Sequence, residues 1–185
     1  DAFCALLRRR RRLAVAAGLL ALPLAALLLW LAFAPCPHPL AGVEFSRMVL
    51  DKRGGIMRVS LSADQKYRIR TRLADNPLSL FRAAAGIVTG GRRMGGSTIT
   101  MQVARLAYGL ETGKMGAKLR QMLLALQLEW HFSKEEILEA YFNLAPYGGN
   151  VEGLGAAAVC YFHKTAAQLA PAESAALMLV PQNPS

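Results

Sequence analysis

An uncharged apolar run near the N-terminus constrains this 185-residue chain more than any other feature. Five consecutive arginines, residues 8–12, precede it, and residues 13–34 then contain no charged side chain. At helical rise, a run of this length crosses the hydrocarbon core of a bilayer. The sequence therefore predicts a basic tail at 1–12 and a transmembrane anchor at 13–34, with the tail in the cytoplasm.

A cleaved signal peptide is the alternative interpretation of the same run, because Ala32-Phe33-Ala34 resembles a small-residue cleavage site. Two observations favour a retained anchor. The run is longer than the apolar region of a typical signal peptide, and Pro35 directly after the site would hinder the peptidase. Pro23 lies inside the run and predicts a kink, which membrane helices tolerate.

The charge balance bears on the partners of the chain. Its net charge is +10, of which the arginine run supplies half. The predicted topology places the moderately basic remainder outside the cytoplasm, where anionic lipid headgroups or a lipid pyrophosphate suit it better than nucleic acid. The three cysteines, Cys4, Cys36 and Cys160, form no disulfide framework or metal-binding spacing. We therefore expect a membrane partner, no nucleic-acid partner and no metal site.

A linker with a short β-hairpin is predicted for residues 35–75. Three prolines at alternate positions stiffen its first residues. Residues 45–50 and 54–61 predict two short strands around a turn-rich connector. We interpret the hairpin as a structural element without chemistry of its own.

The remaining residues, 76–185, have the apolar periodicity of helices. Residues 118–130 form a strong helical pattern, and we interpret the glutamates at 135, 136 and 139 as a solvated helix face and as partners of the helix dipole. Capping boxes and prolines predict where the helices begin: Asn76-Pro77, Ser133, Thr165 and Pro171.

The stretch from Gly95 to Arg105 pairs a flexible Gly-Gly turn with an abrupt helix start. Ser97 or Thr98 can cap this helix, and its free N–H groups and dipole favour an anion, above all a phosphate. Gln102 and Arg105 follow one and two turns later, so a docked anion could also contact the guanidinium. From these residues alone, an ordinary capped core helix is the favoured interpretation, and the anion site is the alternative.

Four motifs, in this order, resemble the family 51 peptidoglycan glycosyltransferases, and most closely the subgroup of 1C-type penicillin-binding proteins. They occupy residues 95–102, 118–143, 147–164 and 172–184. Their best matching segments are Gly95-Gly96-Ser97-Thr98, Lys118-Leu119-Arg120-Gln121, Ser133-Lys134-Glu135-Glu136, Tyr147-Gly148-Gly149 and Ala172-Glu173-Ser174-Ala175.

The resemblance implies a mainly α fold: a lysozyme-like glycosyltransferase lobe in the periplasm, behind a single transmembrane helix of the bacterial inner membrane and the short hairpin. The implied reaction polymerises lipid II into glycan strands and expels undecaprenyl pyrophosphate. Lipid II, the growing glycan chain and other cell-wall synthesis proteins are the implied partners. No resident cofactor is expected, with a divalent cation such as Mg²⁺ as the open alternative. The implied substrate-binding and pyrophosphate-binding residues are Ser97, Thr98, Gln102, Arg105, Lys114, Lys118 and Arg120.

The first motif of the family, which supplies the general-base Glu, has no counterpart here. It should lie just before Asn76, but residues 66–75 run directly into Asn76-Pro77. Asp64 and Asp75 are the nearest carboxylates, and neither has the surroundings of the motif. We therefore expect an incomplete domain at 76–185 with no intact catalytic base. Its flanking helices should expose apolar surface and its stability should be lower than that of a complete relative.

Gln121 stands where many family members have a Glu, and an amide can only position groups because it takes no proton at neutral pH. Neither Ser-x-x-Lys nor Lys-Thr-Gly occurs, so we expect no transpeptidase domain on this chain. Three functions stay open: an active glycosyltransferase, an inactive membrane-anchored fragment that binds lipid-linked diphosphate or cell-wall proteins, and a membrane-anchored interaction protein.

Overall fold

The computed structural model describes residues 18–19, 21–73, 98–111 and 115–182. The chain divides into two compact units, residues 1–36 and 37–185. In the first unit residues 21–33 are helical, and most of their large apolar side chains are exposed. Among the described residues, no helix combines the length and the apolar character that a membrane span requires. Residues 13–17 and 20 of the predicted anchor lie outside the described residues, and the anchor stays a prediction.

The described part of the second unit is mainly helical, with one two-stranded sheet, which confirms the predicted class. Two 3-10 turns, Ala166–Gln168 and Val180–Gln182, flank the last helix. In chain order the elements are β1 (Met48–Leu50), β2 (Ile56–Val59), α1 (Ile99–Ala107), α2 (Met115–His131), α3 (Lys134–Leu144), α4 (Leu154–Phe162) and α5 (Pro171–Leu179). The helix predicted from Asn76-Pro77 lies outside the described residues.

Local capping signals in the sequence place several helix starts correctly. Ser133 accepts a hydrogen bond from the Glu136 backbone, and the Glu136 carboxylate accepts one from the Ser133 N–H, so the predicted capping box begins α3. The predicted box at Thr165 is also present, although it opens a 3-10 turn instead of an α-helix. Pro171 is the first residue of α5, where its missing N–H is not needed.

The main core lies among α3, α4 and α5. Phe142, Tyr147, Leu154 and Leu177 are at most 2% exposed and pack with the alanine run of α4. Small residues on α4 also allow another backbone to approach. A Cβ at Gly155 would lie 2.5 Å from the Ile69 carbonyl oxygen, so only glycine fits there.

An extended segment, residues 67–73, occupies this surface and is held by long-range hydrogen bonds. The buried Asn143 side chain accepts from the Thr71 N–H at 2.9 Å and donates to the Thr71 carbonyl at 2.8 Å. The Glu139 carboxylate accepts from the Leu73 N–H at 3.1 Å. Glu139 therefore anchors another part of the chain, and its interpretation as part of a purely solvated face is wrong.

Candidate active site

The start of α1 contains Thr98, the one of the two predicted caps that the structure describes. Thr98 is the N-cap, and its hydroxyl accepts from the Met101 N–H at 3.2 Å. The N–H groups of the first turn point out of the helix end, as at any helix N-terminus. Ser97, the other predicted cap, lies outside the described residues.

Gln102 and Arg105 lie on the less buried side of α1. The core side of the helix consists of Thr100, Met101, Val103 and Ala104, while Gln102 and Arg105 are half-buried and three residues apart. Burial raises the pKa of the Tyr141 hydroxyl, and the nearby Arg105 guanidinium opposes that rise. The Arg105 guanidinium is therefore near enough to Tyr141 of α3 to act on its hydroxyl.

Helix α2 presents its two predicted cations on different sides. Lys118 and Arg120 are both exposed, but residues two apart on a helix do not face the same way. Gln121, one turn after Lys118, is 6% exposed, and its Nε2 donates to the Met101 carbonyl oxygen at 2.6 Å. Lys118 thus lies one turn from the contact between α2 and α1. Lys114 lies outside the described residues.

A second contact, which sequence reasoning missed, fixes the first turn of α1. The Thr100 hydroxyl donates to the Glu129 carboxylate, and Glu129 forms an ion pair with Lys134. Glu129 therefore joins the start of α1, the end of α2 and the start of α3. The contact joins residues 29 positions apart, so the local sequence does not reveal it. The sequence shows only that Glu129 lies within the helical motif.

The carboxylate that sequence reasoning considered as a substitute base is engaged elsewhere. Asp64 accepts a hydrogen bond from Ser62 at 2.5 Å and forms an ion pair with Arg68 at 2.6 Å. The Ser62 hydroxyl, followed by the Arg68 guanidinium, lowers the pKa of Asp64. A carboxylate stabilised in its ionised form is a weaker base, which argues against a catalytic role. Asp75 lies outside the described residues.

Asp64 and Arg68 belong to a charged network beside a pocket of about 540 Å³. Arg68 is 9% exposed and contacts Glu152 at 2.6 Å, and Lys66 pairs with the same glutamate. These charges neutralise one another, so the network fastens the extended segment to the loop before α4. The described residues contain no group of three or more His, Cys, Asp or Glu side chains that could hold a metal ion.

Helix α2 also exposes a stripe of large apolar side chains. It follows helical spacing, and each side chain is at least 48% exposed: Met115, Leu119, Met122, Leu126 and Trp130. The helix predicted to flank the missing motif lies outside the described residues, so the expectation of uncovered apolar surface beside that motif stays a prediction.

Comparison with known proteins agrees with the motifs. A family model described as Transglycosylase matches residues 73–185. Penicillin-binding protein 1C of Escherichia coli strain K12 is 51% identical over 111 residues, which are 60% of this chain and 14% of that protein. Penicillin-binding protein 1A of Pseudomonas aeruginosa is 42% identical over 108 residues, 58% of this chain and 13% of that protein.

A third relative extends the match toward the N-terminus. Penicillin-binding protein 1A of Neisseria gonorrhoeae is 35% identical over 131 residues, which are 70% of this chain and 16% of that protein. The matched part of this chain thus spans about a sixth, or less, of the length of these curated relatives.

Proposed function

This chain belongs to the transglycosylase family, the family 51 peptidoglycan glycosyltransferases, and from that membership we propose that it binds lipid II through the diphosphate. The observation that carries the proposal is the motif from Gly95 to Arg105, whose helix start has a polar cap and bears Gln102 and Arg105 on its less buried side. Helix N-termini and guanidinium groups both favour phosphate oxygens.

In this proposal each polar group has a distinct task. Thr98 and the first N–H groups of α1 contact the diphosphate, together with Ser97 of the same motif. Arg105 and Lys118 balance its negative charge, which grows on the leaving pyrophosphate during transfer. Gln121 acts as a positioning residue, because it binds the Met101 backbone and fixes α1 against α2. Lys114 and Arg120 add positive charge around the site. A bound Mg²⁺ is the alternative source of that positive charge.

Transfer of the sugar by this chain is proposed to be impaired. The acceptor hydroxyl must lose a proton, and loss of a general base typically costs a factor of about 10² to 10⁴ in rate. Asp64 does not replace it, since its ion pair with Arg68 favours the ionised, weakly basic form. The missing motif also favours the second candidate function, a membrane-anchored protein that binds lipid-linked diphosphate or cell-wall partners without turnover.

We place the chain in the bacterial inner membrane, with residues 13–34 as the anchor and the helical lobe in the periplasm. The support is the uncharged run after five arginines and the exposed apolar side chains of residues 21–33, such as Leu22 and Phe33. The lipid-linked substrate would then reach the lobe from the same bilayer.

The test compares the full chain with a variant in which a family-type motif containing the Glu is inserted before Asn76. Both proteins, reconstituted in liposomes, receive fluorescent lipid II, and glycan strands are resolved on a gel. We expect glycan only from the restored variant. Polymerisation by the unmodified chain would show that another carboxylate is the base. Binding of the fluorescent lipid II is measured in the same liposomes, and if neither protein binds it, the proposed substrate is wrong.

A further inference from the structure

The β-hairpin carries a concentration of positive charge that the proposed function does not use. Four cations lie on it or directly beside it, and all are exposed: Arg47, Lys52, Arg53 and Arg58. Among the residues that the structure describes, none of these four forms an ion pair. The proposal that follows is independent of lipid II binding.

The only carboxylate of the hairpin is occupied by its own turn. Asp51 Oδ1 accepts from the Arg53 N–H at 2.7 Å and from the Gly55 N–H at 2.6 Å. Gly54 adopts a φ of +82°, and a Cβ at Gly55 would lie 2.8 Å from the Asp51 carboxylate. The Asp51 carboxylate therefore fixes the conformation of the turn that carries the neighbouring cations.

Apolar side chains are exposed between these cations. Met57 is 71% exposed, Val49 53% and Leu50 45%. In the antiparallel register Val49 lies opposite Arg58, while Met48 and Val59 form the more buried pair. The pairing is irregular between Val49 and Leu50, and the face that carries the Arg58 guanidinium therefore also carries the exposed aliphatic side chain of Val49.

We propose that this face docks on the surface of an anionic phospholipid bilayer. Lys and Arg near such a surface are attracted by lipid phosphates, and aliphatic side chains among them can enter the headgroup boundary. Residues 47–59 contain no aromatic side chain, so the hairpin lacks the stacking groups by which proteins hold single-stranded nucleic acid. Fourteen residues separate the helical residues 21–33 from β1, an extended reach of at most about 50 Å.

The test uses the full chain in liposomes and a single indole as a probe of lipid contact. The chain has two tryptophans, Trp30 and Trp130, so Trp30→Phe and Trp130→Phe give a silent background. Met57→Trp then places the probe on the hairpin. Leu179→Trp, at a position 60% exposed on α5, is the matched control. Quenching by brominated acyl chains is measured in phosphatidylglycerol vesicles and in phosphatidylcholine vesicles.

We expect the probe at position 57 to be quenched at least about twofold more in anionic than in neutral vesicles, because each cation adds to binding at a charged surface. The probe at position 179 should show no such difference. Replacing Arg47, Lys52, Arg53 and Arg58 with Gln should abolish the preference for phosphatidylglycerol. The vesicle comparison needs no charge variant, so it stands even where the fourfold variant fails to fold.

Equal quenching at positions 57 and 179, or equal quenching of position 57 in both vesicle types, would overturn the proposal. A chain with Trp130→Phe alone reports on Trp30 and hence on the anchor. Quenching of Trp30 without quenching at position 57 would reject the hairpin proposal and leave the anchor intact. Lipid II binding is measured separately, so its failure cannot be mistaken for failure of the hairpin.

Discussion

Gln121 Nε2 donates to the carbonyl oxygen of Met101 at 2.6 Å, and this bond joins the middle of α2 to the first turn of α1. The glutamine is buried, and this bond satisfies one of its two amide N–H donors. This chain therefore uses an amide as a structural link between the two helices of the proposed site.

Removal of this amide should destabilise the protein. Gln121→Ala removes this bond, although the Met101 carbonyl keeps its backbone partner within α1, and we expect a loss of about 1 kcal/mol in the free energy of unfolding. Urea unfolding followed by circular dichroism measures the change. Arg120→Ala, at the exposed neighbouring position, should stay within about 0.5 kcal/mol of the unmodified chain. Equal effects would mean that the bond contributes nothing.

Gln121→Glu should destabilise the protein most at neutral pH, since a carboxylate would face the Met101 carbonyl oxygen. Burial would raise the pKa of the introduced carboxyl above its unfolded value. The penalty should therefore be absent below the unfolded pKa and grow as pH rises through the folded pKa. Unfolding of this variant and of the unmodified chain between pH 4 and 8 would reveal the difference; parallel curves would contradict it.

Local signals predicted much of the fold, and long-range contacts explain what sequence reasoning missed. The capping box at Ser133 and the proline at 171 act within one helical turn, so the sequence alone shows them. The bond between Asn143 and Thr71 joins residues 72 positions apart. Nothing in the local pattern around Asn143 reveals that partner, and the same holds for Glu139 and Leu73.

For the candidate site, too, the sequence predicted the local features but not the contacts between helices. Thr98 as a cap follows from its position before an apolar helix, and the structure confirms it. The roles of Gln121 and Glu129 depend on how α2 packs against α1, which helical periodicity does not specify. The sequence shows that Gln121 is a polar residue on the buried side of a helix, but it does not show which group the side chain binds.

Asn143 should be one of the most sensitive positions in the lobe. It makes three hydrogen bonds, to the Thr71 N–H, the Thr71 carbonyl and the Glu139 carbonyl, and it is 1% exposed. We expect Asn143→Ala to cost about 3 kcal/mol or more, because buried backbone groups lose their partners. Asn150→Ala, an exposed position with one bond of 3.4 Å to Gln65, is the control. Similar unfolding midpoints for the two variants would contradict a stabilising role of the Asn143 hydrogen bonds.

The exposed stripe on α2 predicts a contrast between neighbouring leucines. Leu128 is fully buried and Leu126 is 50% exposed. Leu128→Ala should cost about 2–5 kcal/mol, whereas Leu126→Gln should change the unfolding free energy by less than about 0.5 kcal/mol. Thermal unfolding of both variants tests this. A large loss from Leu126→Gln would show that another surface covers the stripe in solution.

The ion pair between Lys164 and Glu173 should contribute to acid sensitivity. The Lys164 ammonium, at 2.6 Å, and the Ala170 N–H lower the pKa of Glu173 below its ordinary value of 4.5. Because the folded pKa is the lower one, the unfolded state binds more protons, and stability falls as pH drops from about 4.5 through the folded pKa. Glu173→Gln should flatten the dependence of stability on pH in this range. Glu135→Gln, at an exposed position of α3, should not change it. An unchanged slope in Glu173→Gln would refute the contribution.

The proposed diphosphate site predicts unequal roles for three cations. Arg105→Ala and Lys118→Ala should each weaken binding of a short-chain polyprenyl diphosphate by about ten- to a hundredfold, the usual effect of losing a charge-assisted hydrogen bond. Arg120→Ala removes the same charge from a different side of α2 and should have a smaller effect. Titration calorimetry at two salt concentrations separates specific contacts from general attraction, which salt screens. If all three variants lose the same affinity, and only at low salt, the diphosphate is attracted by overall charge and the assigned site is wrong.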